Sequence, residues 1–500
     1  MGKLFVGILL LLILASIGTL LTQPQRQTER PVIYWKSDAN PQRYDQIELF
    51  NKWLVKNGHV DKNGKPIVEL RLDSANNQSK LIQAVSGVGG DIMDAKMSEF
   101  QPLGVLADIS DDAKKLGFGL DATYPGLKQS LFVDEKQYAY PCNVSVAGLW
   151  CNVDAFKKYE IGVPPEIWTP KEFERIGKEF VKQANANKER REAFFCSGSQ
   201  KAFAIAICRS EGLDMFNETL TQCTLDNPRY IKILKLLYKW TYEDHLFPSA
   251  AELLSMNTES GYGGSAFSQF QSGNYAMLYI GRYCLIRFRE FEQKIKLSVS
   301  RIPQYDFQNM IICTRSATLY RGSKRKDLGT LFFAYLADKE YNDYIIRGSD
   351  GLPPNPQYAL NNPEYLHPAK YPNEGNVHER ELKWAMTIAL PEPYSPYYKS
   401  TGMDWQQYAI DKYFNNLCTA EEAAAETQTR INGEIKTTID ANPHLEKQYL
   451  QACELQKKID EYKKAGKKIP NAWIKNPFYL AYCRANGTLA EINEKGRKKQ

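Results

Sequence analysis

From position 31 onward, short apolar runs of period two alternate with longer stretches whose apolar positions recur every three to four residues. That is the order expected of strands and amphipathic helices in an α/β chain. Residues 32–35 read as a first strand, and 41–57 as a helix with Ile47, Phe50 and Leu54 on one face. A second strand follows at 67–72, then a short helix at 79–86 closed by Gly87, and Gly89-Gly90-Asp91 turns into a third strand. Strand and helix alternate twice, which predicts the start of a doubly wound sheet. Residues 137–156 change character, running extended through Pro141 and Gly148 before a helix starts near Asp154; such a segment can carry the chain from one lobe to another. The stretch 169–184 reads as a helix, with Thr169 as N-cap, Pro170 at the first helical position and Glu172 completing a capping box. Further helices are predicted at 231–242, 327–337, 340–346 and 420–439, and a buried strand at 274–280 ending at Gly281.

The start of the chain is different. Met1, Gly2 and Lys3 precede an unbroken apolar run over 4–21, longer than the core of an ordinary signal peptide and at the lower limit for a spanning helix. Residues 1–25 therefore read as an export signal, either a cleaved signal peptide or a membrane anchor. The Lys on its N-terminal side places the remainder outside the cytoplasm by the positive-inside rule. Ten cysteines in an exported chain are compatible with disulfides. Their spacing assigns none and shows no zinc or thioredoxin pattern; Cys142 and Cys151 lie too far apart along a straight strand to pair.

At 500 residues, with 43% hydrophobic, 24% charged and 12% aromatic positions, the chain has material for several domains and excludes disorder. The net charge of +6 is concentrated from Glu446 onward, where thirteen Lys or Arg face six Asp or Glu, so the body is close to neutral and no nucleic-acid-binding surface is indicated.

Five patches, taken in order, resemble the family 1 extracellular solute-binding proteins, the capture components of sugar-importing ABC transporters, of the maltose-binding type. They are Ile33-Tyr34-Trp35 with Asp38 and then Phe50-Asn51; Gly89-Gly90-Asp91-Ile92, in which Gly90 replaces the family's usual Pro; and Tyr138 to Phe173 with Pro141, Gly148, Asn152, Phe156, Gly162, Pro164-Pro165 and Trp168. Phe270, Ser272-Gly273, Ala276-Met277 and Gly281 follow, then Gly351-Leu352-Pro353. The resemblance covers about residues 31 to 440. It implies an α/β fold of two lobes, the type II periplasmic-binding-protein arrangement, closing over a ligand by a hinge motion. One lobe would take 31–140 and 276–345, the other 141–275 and 346–444, with 445–500 as a basic, aromatic, helical extension. The implied partners are a sugar or oligosaccharide and the membrane subunits of an ABC permease. It implies a monomer with no cofactor, no metal and no catalytic residue, located in the periplasm or otherwise outside the cytoplasm.

A sugar offers apolar ring faces and many hydroxyls, so its site needs flat aromatics and polar groups in a cleft. Trp35 and Asp38 follow the first strand, where strand ends face the crevice; Trp35 fits a stacking platform and equally a core position. Asn143 and Ser145 stand at the presumed crossover, for ligand contact or for bracing the hinge. Arg282 and Tyr283 follow the strand ending at Gly281, and the Arg282 guanidinium suits the carboxylate of an acidic sugar. Trp384, with Tyr394, Tyr397 and Tyr398, would line the second lobe or pack within it. Two other readings stay open, an extracytoplasmic ligand sensor for a signalling receptor and a secreted carbohydrate-active enzyme. The tail, with Lys463 to Lys468 and the aromatics Trp473, Phe478, Tyr479 and Tyr482, suits an anionic membrane surface, a partner, or a place against the second lobe.

Overall fold

A computed structural model describes residues 30–490 except 41, 134, 257–263 and 400–402. The export segment of residues 1–25 lies outside the described residues, and among those described no helix is long and apolar enough to cross a membrane. Among the described residues, ten strands build the two larger sheets. They are β1 (Val32–Ser37), β2 (Glu69–Ser74), β3 (Ile92–Asp94), β4 (Ala139–Val146), β5 (Gly148–Asn152), β6 (Phe194–Ser197), β7 (Tyr275–Ile280), β8 (Leu297–Ser300), β9 (Met310–Leu319) and β10 (Ala389–Pro391).

In the first sheet β1 lies parallel between β2 and β3. The long β9 runs antiparallel to β3 and β4 and is joined at its start by β10. The second sheet has the order β8-β5-β7-β6, with β7 antiparallel to β5 and parallel to β6. Period two explains β1: Ile33 and Trp35 are fully buried while Tyr34 between them is exposed. Helix α1 (Gln42–Lys56) sets Phe50 and Trp53 against this face, where Phe332 stands 4.9 Å from Trp35 and 5.5 Å from Phe50. The second lobe centres on Phe173 of α2 (Pro170–Ala184), packed 5.0 Å from Phe195 and 4.6 Å from Trp240. The capping box at Thr169 and Glu172 forms as the sequence predicts.

The chain crosses between the sheets three times. Only Ala147 separates β4 from β5, the segment 301–309 joins β8 to β9, and residues from 392 lead away from β10 to Ser395, whose Oγ donates to Leu220 O at 2.6 Å in the second lobe. A third cluster, with Val144, Val146 and Ile312 from one sheet and Trp150, Leu278 and Val299 from the other, backs the hinge.

These sheets divide the chain differently from the sequence reading in three places, one of them the exit from the first lobe, which follows β10 at Pro391 rather than residue 345 because β10 pairs with β9 and Leu352 bridges Val144. Pro141 does not mark the crossover; it sits inside β4, opposite Ser316 and next to a bulge in which Cys142 is the extra residue. A bulge is where a strand tolerates a residue without an N–H. Residues 276–280 belong to β7, paired with β5 and β6, and β8 is in the same sheet, so the return to the first sheet comes only after Ser300.

Candidate functional site at the junction of the two sheets

The C-terminal ends of β1 and β3 bring Ser37 and Asp94 together. Because β9 runs the opposite way, its Arg315 arrives at the same place. Asp94 is 4% exposed and accepts from Trp35 Nε1 at 2.7 Å, from Arg315 Nη1 at 2.6 Å and from Ser37 Oγ, while its backbone carbonyl takes Lys80 Nζ at 3.0 Å. Burial lowers the Lys80 ammonium below its ordinary value, although the Asp94 charge acts the other way. Alternating charges then lead outward. Arg315 Nη2 is 3.7 Å from Asp350, Asp350 pairs with Arg43 at 2.9 Å, and Arg43 pairs with Asp38 at 2.9 Å. Against the upward push of partial burial, Arg43 holds the Asp38 carboxyl below its ordinary range, and half of that side chain is open to solvent.

The floor of the junction is β4. Asn143 stands opposite Arg315, and Ser145 opposite Cys313. Gly281 ends β7 there, and a methyl group on it would lie 2.2 Å from Ser145 Oγ and 3.1 Å from the Tyr283 ring. Only glycine therefore allows the serine and the tyrosine to close on the end of β7. Tyr283 is half-buried, and burial pushes its phenol up to about 12. Lys96, just past β3, lies 3.7 Å from Glu392 at the third crossover, and both remain more than half exposed. The junction thus offers hydroxyl, amide, carboxylate, ammonium and phenol groups, a set suited to a ligand rich in hydroxyls.

Of the residues singled out from the sequence, Asp38, Asn143, Ser145 and Tyr283 stand in this region. Trp35 is fully buried against Phe332, and its indole nitrogen serves Asp94, so no face is left for stacking. Arg282 is 1% exposed, and its fork is occupied. It donates to the carbonyls of Gly351 at 2.7 Å, Ile346 at 2.9 Å and Ile345 at 3.4 Å and to His378 Nδ1 at 3.0 Å, with the Tyr365 ring 4.8 Å away. Two of those carbonyls belong to the last turn of α3 (Lys339–Gly348), which a cation caps favourably. Arg282 therefore ties the back of the hinge and does not face a ligand. Trp384 is fully buried with its indole on Glu166 at 2.8 Å, and Tyr397 packs on Tyr449 at 5.1 Å. Asp94, Lys96, Arg315 and Glu392 were missed, since they meet only through the antiparallel return of β9 and the short β10.

Comparison with known proteins agrees with this architecture. An ABC substrate-binding protein from Listeria monocytogenes in complex with cycloalternan superposes with a TM-score of 0.66 at 19% identity, over 81% of this chain and 98% of that one. Maltose-bound MalE3 of T. maritima gives 0.63 at 16%, over 80% and 98%, and a solute-binding protein of Agrobacterium vitis with bound D-mannitol gives 0.60 at 17%, over 81% and 99%. No curated protein matches the chain. The sequence model of the bacterial extracellular solute-binding proteins matches residues 61–343, from the edge of β2 through the first two crossovers to helix α3. With that span covering more than half of the chain, and with two α/β sheets joined by three crossovers, this protein belongs to the family of bacterial extracellular solute-binding proteins.

Proposed function

We propose that the protein captures a carbohydrate between its two lobes, outside the cytoplasm, and delivers it to an ABC import permease. One observation carries this reading: the open polar row of Asp38, Asn143, Ser145, Tyr283, Lys96 and Glu392 lies where the ends of β1, β3 and β7 converge on the crossover strand β4. Proteins of the same fold hold cycloalternan, maltose and D-mannitol. The lobes we assign are 31–146 with 310–391, and 148–300 with 395–440, on the basis of sheet membership and packing. Residues 1–25 act in this reading as an export signal or tether, and the protein works as a monomer. Hinge closure needs no covalent chemistry: the ligand shifts the population toward the lobe arrangement in which both lobes contact it.

A thermal-unfolding panel of mono- and oligosaccharides, neutral and acidic, tests the reading. A sugar at about 100 times its dissociation constant raises stability by about 2.7 kcal/mol. The expected result is a raised midpoint with one sugar class, the sugar recovered unchanged, and at least about a tenfold weaker affinity in Ser145→Ala or Asn143→Ala, the loss of roughly one charge-free hydrogen bond or more. No shift with any sugar would remove carbohydrate as the cargo, and a cleaved sugar would show an enzyme instead.

A further inference from the structure

The last described residues are anchored on one lobe and reach the other. Helices α4 (Pro443–Lys464) and α5 (Pro477–Ala485) cover the loop 211–225 of the second lobe. Gln456 Oε1 accepts from Thr219 N at 3.1 Å and from its hydroxyl at 3.0 Å. The buried Glu218 takes Lys463 Nζ and Gln456 Nε2 (2.8 Å) on its carboxylate, and its carbonyl accepts Lys475 N at 2.8 Å and Asn476 N at 2.9 Å. Asn476, 2% exposed, donates to Asp214 Oδ2 and Phe216 O, each at 2.9 Å. The contact is close: at Gly212, whose φ is +81°, a methyl group would lie 2.4 Å from the Tyr482 hydroxyl.

The same body touches the first lobe and the second crossover, and reaches the end of β10, where the third crossover begins, directly through Leu390 and indirectly through Arg209. Gln129 Nε2 of the first lobe donates to Lys475 O at 3.1 Å. Leu390 of β10 packs on the cluster of Ile459, Ile469, Ile474 and Phe478. In the second crossover Phe307 lies edge-on to Phe478 at 5.7 Å and to Tyr482 at 5.3 Å. At the third, Arg209 of the second lobe donates Nη1 to Pro391 O at 3.0 Å and Nε to Asp214 Oδ1 at 2.7 Å, while its guanidinium lies 5.5 Å from the Phe478 ring centre. Of the aromatics that made the tail look suited to a membrane surface, Phe478 and Tyr482 are thus turned inward on the second crossover, Tyr479 accepts from Asp214 N of the second lobe, and Trp473 packs on Tyr462 of the tail itself.

We propose that residues 443–490 form a hinge clamp that fixes the angle between the lobes in the ligand-free protein. Relative rotation of two lobes is absorbed by torsions in a few residues of the connecting segments. A body packed on one such segment and on the strand end where another begins, and bonded to both lobes, must shear or give up those contacts before the lobes can turn. The clamp is independent of what the cleft binds, so it stands or falls without any ligand.

The test uses the full chain without ligand. Spin labels attached through non-canonical amino acids at the exposed positions 115 and 182, one on each lobe, report the distribution of interlobe distances. The expected result is a single narrow distribution in the wild type, and one at least about twice as wide in the double variant Gln129→Ala/Leu390→Ala, which cuts the clamp from the first lobe but leaves it on the second. A wild-type distribution that is already as broad as the variant's, or a variant as narrow as the wild type, overturns the proposal. Should Leu390→Ala fail to fold, Gln129→Ala/Leu390→Val carries the same comparison.

Discussion

Asp94→Ala should lower stability by about 3–5 kcal/mol, the cost typical of breaking a buried ion pair by removing one partner. The carboxylate is nearly inaccessible and satisfies Trp35 Nε1, Ser37 Oγ and Arg315 Nη1 at once. Arg315 already has Nε and Nη2 buried without a hydrogen-bond acceptor, so the loss of Asp94 leaves its charge supported only by Asp350 at 3.7 Å. A buried indole N–H is orphaned in the same step, which adds its own desolvation penalty. Asp94→Asn keeps the shape and two of the acceptor contacts but removes the charge, and should cost less than the alanine. Urea unfolding measures this directly: a lower midpoint with unchanged slope is a pure stability loss. Equal stability in wild type and Asp94→Ala would mean that the Arg315, Asp350, Arg43 and Asp38 chain holds itself together without the aspartate. The functional consequence runs along that chain, because Asp38 at its open end keeps its place through Arg43 and Asp350.

How much of this was legible beforehand follows from the range of each interaction. Alternation in β1, the capping box at Thr169 and the glycine at the end of β7 are local signals, and the structure has each of them. Asn143 and Ser145 could be placed at the junction because they lie on the crossover strand itself. Arg282 was misread because its partners, the carbonyls at the end of α3 and His378, are 63 to 96 residues away, and an arginine fork looks the same from sequence whether it meets a carboxylate or a helix end. Trp35 and Trp384 were open for the same reason, since an indole suits a sugar face and a core equally. Lys96 and Glu392 are nearly 300 residues apart, and only the three-residue β10 brings them together. Pro141 misplaced the first crossover because β4 bulges beside it and runs on: consecutive Arg315 and Ser316 of β9 face Asn143 and Pro141, which leaves Cys142 as the extra residue.

The joint contribution of two buried groups at the back of the hinge to stability should pass through a maximum between about pH 5 and 6. Glu381 is fully buried, its Oε1 accepting from Trp150 Nε1 at 3.0 Å and its Oε2 without a partner. Burial raises its carboxyl from 4.5 to about 8, with Arg282 and the Trp150 hydrogen bond acting against that rise. His378 is buried too, and burial lowers its imidazole from 6.5 to about 4 even though Glu374 acts in the other direction. The geometry agrees: Arg282 Nε can only donate to Nδ1, so the ring proton sits on Nε2, facing Glu374 at 2.7 Å, and the imidazole is neutral. For Glu381 the folded chain binds the extra proton between 4.5 and about 8, so stability falls as pH rises through that window and is flat above it. For His378 the unfolded chain binds the extra proton between about 4 and 6.5, so stability is lost as pH falls through that window. The two slopes oppose each other where the windows overlap, and above 6.5 the carboxyl acts alone. Glu381→Gln, which imitates the protonated carboxyl, should match the wild type near pH 5 and exceed it by a few kcal/mol above pH 8. Denaturant midpoints of both proteins across this range decide the matter. Parallel profiles from neutral to alkaline pH would show that Glu381 is already ionised in the folded state, and that Arg282 compensates its charge through the hinge core.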